Sequence, residues 1–412
     1  MMIAVFFCGC IIAGLFTTPF FRVLPSIGMV GTLITGLLCY GLHRASYQRA
    51  PWTIYGSFVL VFGIHLASGL VTSTANWSAY ERDVVLQLPF LSLPFAFWLL
   101  PPLPTRYLQL LWLWLLGLTL LGSLVSTGNY LLHTQEINES YLRSKVMPTE
   151  PDHIRFSLIV TLAVVAGSLL LMHHNVGPRL RPWVLGAVIW LALYQHMLAV
   201  RSGLLTLYVL GGITCLWLLI RHRDYLRALQ VAAVMLVLPI VSYICFPTFQ
   251  NKYANTREDV GRVEHTESAN NYSLVGRVYS YRVAAMVIKE NFLLGVGKAD
   301  MEQEMAAHYQ KEFPNIRQEA YILPHNQYLY SAVAFGIIGV LLFIIGFYYA
   351  GISIWPRYAP LLAAHYLIVT LSFLVEYTLE TQVGVAFSLF FLLLALEGSK
   401  PVSQPEAEWR PA

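Results

Sequence analysis

Three side chains in this sequence join a reactive type to a suggestive place. His325 stands in P-H-N-Q-Y, directly after a long polar stretch and directly before an apolar one. An imidazole with an ordinary pKa near 6.5 exchanges a proton around neutral pH, although a lone histidine at such a boundary is more often structural. Arg201 opens R-S-G between two apolar segments with almost no loop. A guanidinium there either snorkels to an interface or points at an anion in a cavity. Arg277 lies in LVGRVYSYRVAAMVIKE (274–290), where Val278, Tyr281, Ala285 and Ile288 recur at helical intervals. On such a helix Arg282 lies about 140° from Arg277, so the two cannot face one ligand directly unless the helix is irregular. Glu376 and Glu380, one turn apart, read as an interfacial pair or as a proton relay or orienting carboxylate. His65, His196 and His365 lie in apolar runs and carry the same bland expectation as any lone histidine.

Other chemistries are poorly supplied. NFLLGVGK contains Gly295 and Gly297 as helix breakers, but it lacks the Walker spacing that would make it a phosphate loop. There is no Asp-x-Asp, and no acidic residue precedes Glu81, which disfavours a metal-dependent transferase with an early carboxylate. No G-x-S-x-G occurs. The five cysteines (Cys8, Cys10, Cys39, Cys215, Cys245) form no CxxC, so neither a metal knuckle nor a disulfide framework is indicated. A formal charge of +4, scattered along the chain, does not suggest nucleic acid.

The elements that must position these residues are membrane helices. The 412 residues are 57% hydrophobic and only 12% charged, and the mean hydropathy is +0.59. Soluble domains carry about 25% charged residues, so an ordinary soluble or disordered chain is excluded. The expectation is an all-α polytopic membrane protein. Spans of about 20 apolar residues are expected near 2–21, 23–42, 52–71, 84–100, 107–131, 155–173, 182–200, 203–220, 226–246, 327–350, 357–378 and 381–397. The chain then divides into helices 1–9 (1–246), one large loop (247–326), helices 10–12 (327–398) and a polar tail (399–412). The first span is read as no cleavable signal, lacking a basic leader and a cleavage site.

Lys and Arg in the short loops orient the chain. With the N-terminus inside, the inner loops and tail hold Arg44, Arg49, Arg106, Arg179, Arg181, Arg221, Arg223, Arg227, Arg357, Lys400 and Arg410, eleven in all. The opposite short loops hold six: Arg22, Arg82, Arg143, Lys145, Arg155 and Arg201. Both termini are therefore expected in the cytoplasm and the large loop outside. From 247 to 324 that loop holds nine basic and ten acidic residues, so it is a mixed-charge surface rather than a polycation. Loops of this length are usually functional.

His325-Asn326, nine residues, then Gly336-Ile337-Ile338-Gly339 resembles the H-N-x9-G-x-x-G signature of the bacterial O-antigen ligase family, which includes O-antigen polymerases and protein O-oligosaccharyltransferases. Arg201-Ser202-Gly203 is similar to that family's basic residue ahead of a late helix. Gly276-Arg277, Tyr281, Ala284, Glu290 and Gly295-Val296-Gly297 resemble its R-x3-W-x2-A…E-x-P…G-V-G stretch. Tyr281 stands where the family usually has Trp and Phe292 where it usually has Pro; both affect packing or a turn. The resemblance covers about 200–340.

The resemblance implies a GT-C-like helical glycosyltransferase with about twelve spans in the bacterial inner membrane. It would move a glycan from undecaprenyl pyrophosphate to a hydroxyl of the lipid A–core of lipopolysaccharide, at the periplasmic face, inverting and without metal or other cofactor. His325 would be the general base, kept neutral by neighbouring arginines. Arg201 and Arg277 would bind the pyrophosphate, with Arg282, Arg262 and Asn326 as further donor-binding candidates and Tyr281, Gly295 and Gly297 in support. Polymerases tend to have two large outer loops and protein O-oligosaccharyltransferases a further C-terminal region. A transporter or flippase would instead use Arg201, Glu376 and Glu380 as pathway charges near the midplane.

Overall fold

In the computed structural model, residues 1–17, 20–21, 23–42, 51–142, 145–173, 176–262, 264–354 and 359–398 are described. Arg22, Arg44, Arg49, Arg143, Arg357, Lys400 and Arg410, seven of the charges used for orientation, and the polar tail lie outside the described residues. The described chain is helical throughout, without strands.

The N-terminal half comprises α1 (Met2–Gly14), α2 (Leu24–Leu42), α3 (Trp52–Gly56), α4 (Val59–Ala67), α5 (Trp77–Gln87), α6 (Pro89–Leu99), α7 (Thr105–Leu132), α8 (Thr134–Leu142) and α9 (His153–Met172). The second half comprises α10 (Arg181–Leu198), α11 (Arg201–Trp217), α12 (Tyr225–Cys245), α13 (Pro247–Gly261), α14 (Ser273–Glu290), α15 (Met301–Glu312), α16 (Gln327–Ile354), α17 (Pro360–Val375), α18 (Gln382–Val385) and α19 (Phe391–Glu397).

Seven described segments are long and apolar enough to cross a bilayer: α2, Trp52–Leu70, α7, α9, Arg201–His222, α12 and α16. Met2–Gly14, Pro360–Val375 and Gln382–Glu397 are apolar but shorter. Each of the twelve expected spans contains helix. The stretch 84–100 departs most from expectation. It is divided between polar α5 and the 11-residue α6, with Pro89 at the junction. Eleven residues rise only about 16 Å, short of a hydrocarbon core of about 30 Å.

The long loop is largely helical: α13, α14 and α15 lie in it. Its α14 buries Val275, Gly276, Tyr279, Ser280, Val283, Ala284 and Val287. This stripe is displaced from the expected one, because Ala285 is exposed and Val278 and Tyr281 lie at its edge. Both stripes are apolar at helical spacing, so periodicity alone does not choose between them. The most buried packing joins the C-terminal helices to the rest; Phe347, Phe373, Phe387, Phe390 and Phe391 are fully enclosed.

Candidate functional site

The site forms where two helix ends meet. Asn326 caps α16, its side-chain oxygen accepting from the N–H groups of Tyr328 and Leu329, each at 3.0 Å. Its amide nitrogen donates to the Leu374 carbonyl at 3.1 Å, tying this start to the end of α17. Arg277 of α14 donates to the next carbonyl, Val375, at 3.1 Å. A cation at a helix C-terminus satisfies orphan carbonyls and the helix dipole together. The next residue, Glu376, leaves the helix in extended conformation.

His325, one residue before the cap, therefore faces Glu376, one residue past α17. Its Nδ1 lies 3.0 Å from Oε1 and 3.1 Å from Oε2. A carboxylate only accepts, so Nδ1 carries the proton and Nε2 presents its lone pair. The Tyr281 hydroxyl donates to the His325 carbonyl at 2.7 Å, and the Tyr377 ring lies 4.9 Å from the imidazole. The carboxylate is nearly buried and the imidazole partly open, at 6% and 20% exposure. Burial raises the Glu376 pKa, but the hydrogen bond and charge of His325, then Arg277 and Arg155, outweigh it and hold it below the usual carboxylate range.

Cations gather beside this pair from three further elements. The α10–α11 turn places Ala199 in the left-handed region (φ 50°) and Val200 in extended conformation, so Arg201 becomes the first residue of α11. Its Nη2 meets buried Asp259 at 3.0 Å and its Nε the Thr256 hydroxyl at 3.0 Å, both on α13. Lys252, one turn earlier on α13, is half-buried. Burial first, then Arg201 and Arg277, push its ammonium down to about 8, against an opposing pull from Asp259. Its charged form thus sits among like charges, an arrangement an anion would relieve. Arg155, at the start of α9, is held by its N-cap Asp152 at 2.6 Å and also acts on Glu376.

Of the residues singled out in the sequence, His325, Arg277 and Tyr281 are thus drawn together, while Arg201 is held on α13 and acts, like Arg277, on Lys252. Asn326 has both ends of its amide committed to helix ends. Arg282 is exposed, its guanidinium over the Tyr279 ring at 4.9 Å. Arg262 pairs with Glu258 at 3.3 Å and lies over the Tyr272 ring at 5.2 Å. Lys252 and Arg155 were not among the expected site residues; Glu376 was read with Glu380 as an interfacial pair or as a proton relay or orienting carboxylate, with no partner assigned.

Gly295 and Gly297 hold a break in α16. Gly336 takes φ 63° and ψ −170°, which frees carbonyls upstream. Val296 and Gly297 donate to the Val333 and Ala334 carbonyls at 3.0 and 2.9 Å, and Ile337 donates to the Phe292 carbonyl at 2.8 Å. Positive φ at Gly295 (68°) and Gly297 (83°) lets the strap turn there. Within an apolar span such pairing is what a non-helical backbone requires. Among the described residues no group of three or more His, Cys, Asp or Glu side chains is placed to hold a metal ion.

Fold and site together define a polytopic helical membrane protein with a histidine–carboxylate pair and a cluster of cations at one end of its bundle. Residues 186–344, from α10 into α16, match the model of the O-antigen ligase family. The matched stretch contains Arg201, Lys252, Arg277 and His325, whereas Arg155 and Glu376 lie outside it. No curated protein matches the chain.

Proposed function

We propose that this protein is an O-antigen ligase of GT-C-like fold, transferring a glycan from undecaprenyl pyrophosphate to a hydroxyl of the lipid A–core. The observation that carries this is the His325–Glu376 pair beside Arg277, with Lys252 and Arg201 next in line. His325 Nε2 takes the proton of the acceptor hydroxyl as its oxygen attacks the anomeric carbon. The bond from that carbon to the pyrophosphate oxygen breaks, and the electron pair leaves on the lipid pyrophosphate. Attack opposite the leaving group inverts the anomeric configuration. Glu376 steadies the imidazolium, and the guanidiniums balance the charge growing on the leaving group. Three fixed cations supply the neutralisation that a divalent ion provides in other transferases, so transfer proceeds without one. The loop charges support the periplasmic face of the inner membrane for this site, with both termini cytoplasmic.

A polymerase or a protein O-oligosaccharyltransferase would use the same donor, and the acceptor separates them. The test is His325→Ala in a ligase-deficient strain. Loss of capped lipopolysaccharide, with uncapped core accumulating, is expected. Normal capping would remove His325 as base, and unmodified protein or fixed-length lipid-linked glycan in place of uncapped core would favour the other acceptors.

A further inference from the structure

The glycine strap ends in Lys298, which the family signature does not use. Gly297 turns the chain so that Lys298 enters the bundle and ion-pairs with both Asp83 of α5 and Glu380. Both carboxylates are about 95% buried. The other oxygen of Asp83 meets Nδ1 of His65, on α4, at 2.8 Å. Glu380 also accepts from the Gln327 amide at 3.1 Å, while the Gln327 oxygen accepts from the Leu379 N–H at 3.0 Å. Gln87 donates to the Leu379 carbonyl at 2.9 Å.

This cluster holds one end of a five-residue crossing, 376–380, whose other end is Glu376. The crossing joins α17 to α18 without continuous helix: α17 fixes the Glu376 N–H, and the anchors beyond it set the direction in which the chain, and with it the carboxylate, leaves the helix. At one end Glu376 N–H donates to the Ser372 carbonyl at 2.8 Å. At the other stand Glu380, Lys298 and Gln327, and Gln327 is two residues from His325. Between them the Tyr377 ring stacks on Tyr330 at 5.3 Å and lies 4.9 Å from the imidazole. A buried ion cluster gains little over well-packed apolar side chains as a source of stability. What it supplies that they do not is a directed anchor for a short crossing whose only regular structure is a 3-10 turn at Thr378–Glu380.

We propose that Lys298 is a positioning residue for the His325–Glu376 pair. By gripping Glu380 it sets the crossing 376–380, and so the place of the Glu376 carboxylate against Nδ1. Its role rests on the glycan transfer proposed above.

The test measures kcat and donor KM of purified full-length protein, with an undecaprenyl-pyrophosphate-linked glycan as donor and lipid A–core as acceptor. Lys298→Met leaves two buried carboxylates short of a cation, so the paired variant Lys298→Met/Glu380→Gln, which removes one charge of each sign, is measured beside it. Displacing a reacting group by about 1 Å costs on the order of 100-fold. The paired variant should melt near wild type yet lose about 30- to 100-fold in kcat, with donor KM within about threefold. In a Glu376→Ala background Lys298→Met should cost almost nothing further, because the group it positions is gone. A paired variant with wild-type kcat would overturn the proposal. So would a full multiplicative loss on Glu376→Ala, or failure of every Lys298 and Glu380 variant to fold, either of which makes the cluster a folding element. His325→Ala in the same assay separates the two failures. If it is inactive while the Lys298 variants are normal, only the positioning role falls; if it is fully active, the transfer mechanism falls.

Discussion

Replacing Glu376 with Gln asks whether the carboxylate works through the imidazole tautomer. Glu376 accepts twice: from His325 Nδ1 at 3.0–3.1 Å and from the Tyr377 N–H at 3.1 Å. The hydrogen bond from Nδ1 falls on Oε2 and that from the Tyr377 N–H on Oε1, so a glutamine offers one acceptor oxygen and one NH₂ for these two claims. If that oxygen keeps Tyr377, the amide NH₂ faces Nδ1 and donates to it, moving the ring proton to Nε2 and removing the lone pair that should take the acceptor's proton. If it turns to Nδ1, the Tyr377 N–H loses its partner and the crossing 376–380 shifts. With the carboxylate only 6% exposed, water compensates little. A hydrogen bond to a charged group is worth about 1.5–3 kcal/mol, which at 1.36 kcal/mol per decade is about 10- to 150-fold in rate. Glu376→Ala should lose kcat in that range with donor KM little changed. Glu376→Gln should lose at least as much and approach the 10²–10⁴ scale of general-base catalysis. Steady-state transfer by purified protein, with the melting temperature as a fold control, reads both. A Glu376→Gln enzyme within threefold of wild type, with His325→Ala inactive, would refute the tautomer argument.

Two further outcomes follow from the geometry. Lys252, pushed down to about 8 by burial, Arg201 and Arg277, carries its full charge only below that value. An anionic donor favours the ammonium, so affinity is complete on the acid side and declines as pH rises through about 8. Donor KM should rise there in the wild type, while Lys252→Gln should start with a higher KM and show no such limb. Gly295→Ala would place a Cβ 2.5 Å from the Ala334 carbonyl carbon and 2.6 Å from Gly336 N, at φ 68°. Backbone cannot yield as a side chain can, so the loss should exceed the roughly 1–2 kcal/mol of a left-handed residue alone. A clear fall in melting temperature is expected, whereas Gly41→Ala, with nothing within 4 Å, should melt as wild type.

Hydropathy is a local property, and it made the apolar helices and the end of α14 ahead of Gly295 and Gly297 legible in the sequence, whereas the break in α16 at Gly336 was not. The helical offset between Arg277 and Arg282 was legible too, since 3.6 residues per turn is a property of the chain itself. His325 and Arg201 stood out because a reactive type fell at an apolar boundary, and Arg277 because it lay in a helical segment of the long loop.

Tertiary structure decided which of these groups meet. Glu376 is 51 residues from His325, and only the antiparallel approach of α17 to α16 makes it a partner. Lys252 was one of nine loop cations until the fold brought it under the charge of both Arg201 and Arg277. Asn326, read as a candidate donor ligand, uses its oxygen and one N–H to join two helix ends. Lys298, in a motif that resembles a phosphate loop, found two carboxylates from distant segments instead. Helices follow from neighbours along the chain, whereas the charge around a side chain is the sum over everything folded against it. The sequence determined which groups were available, and the crossing of the helices determined which of them face one another.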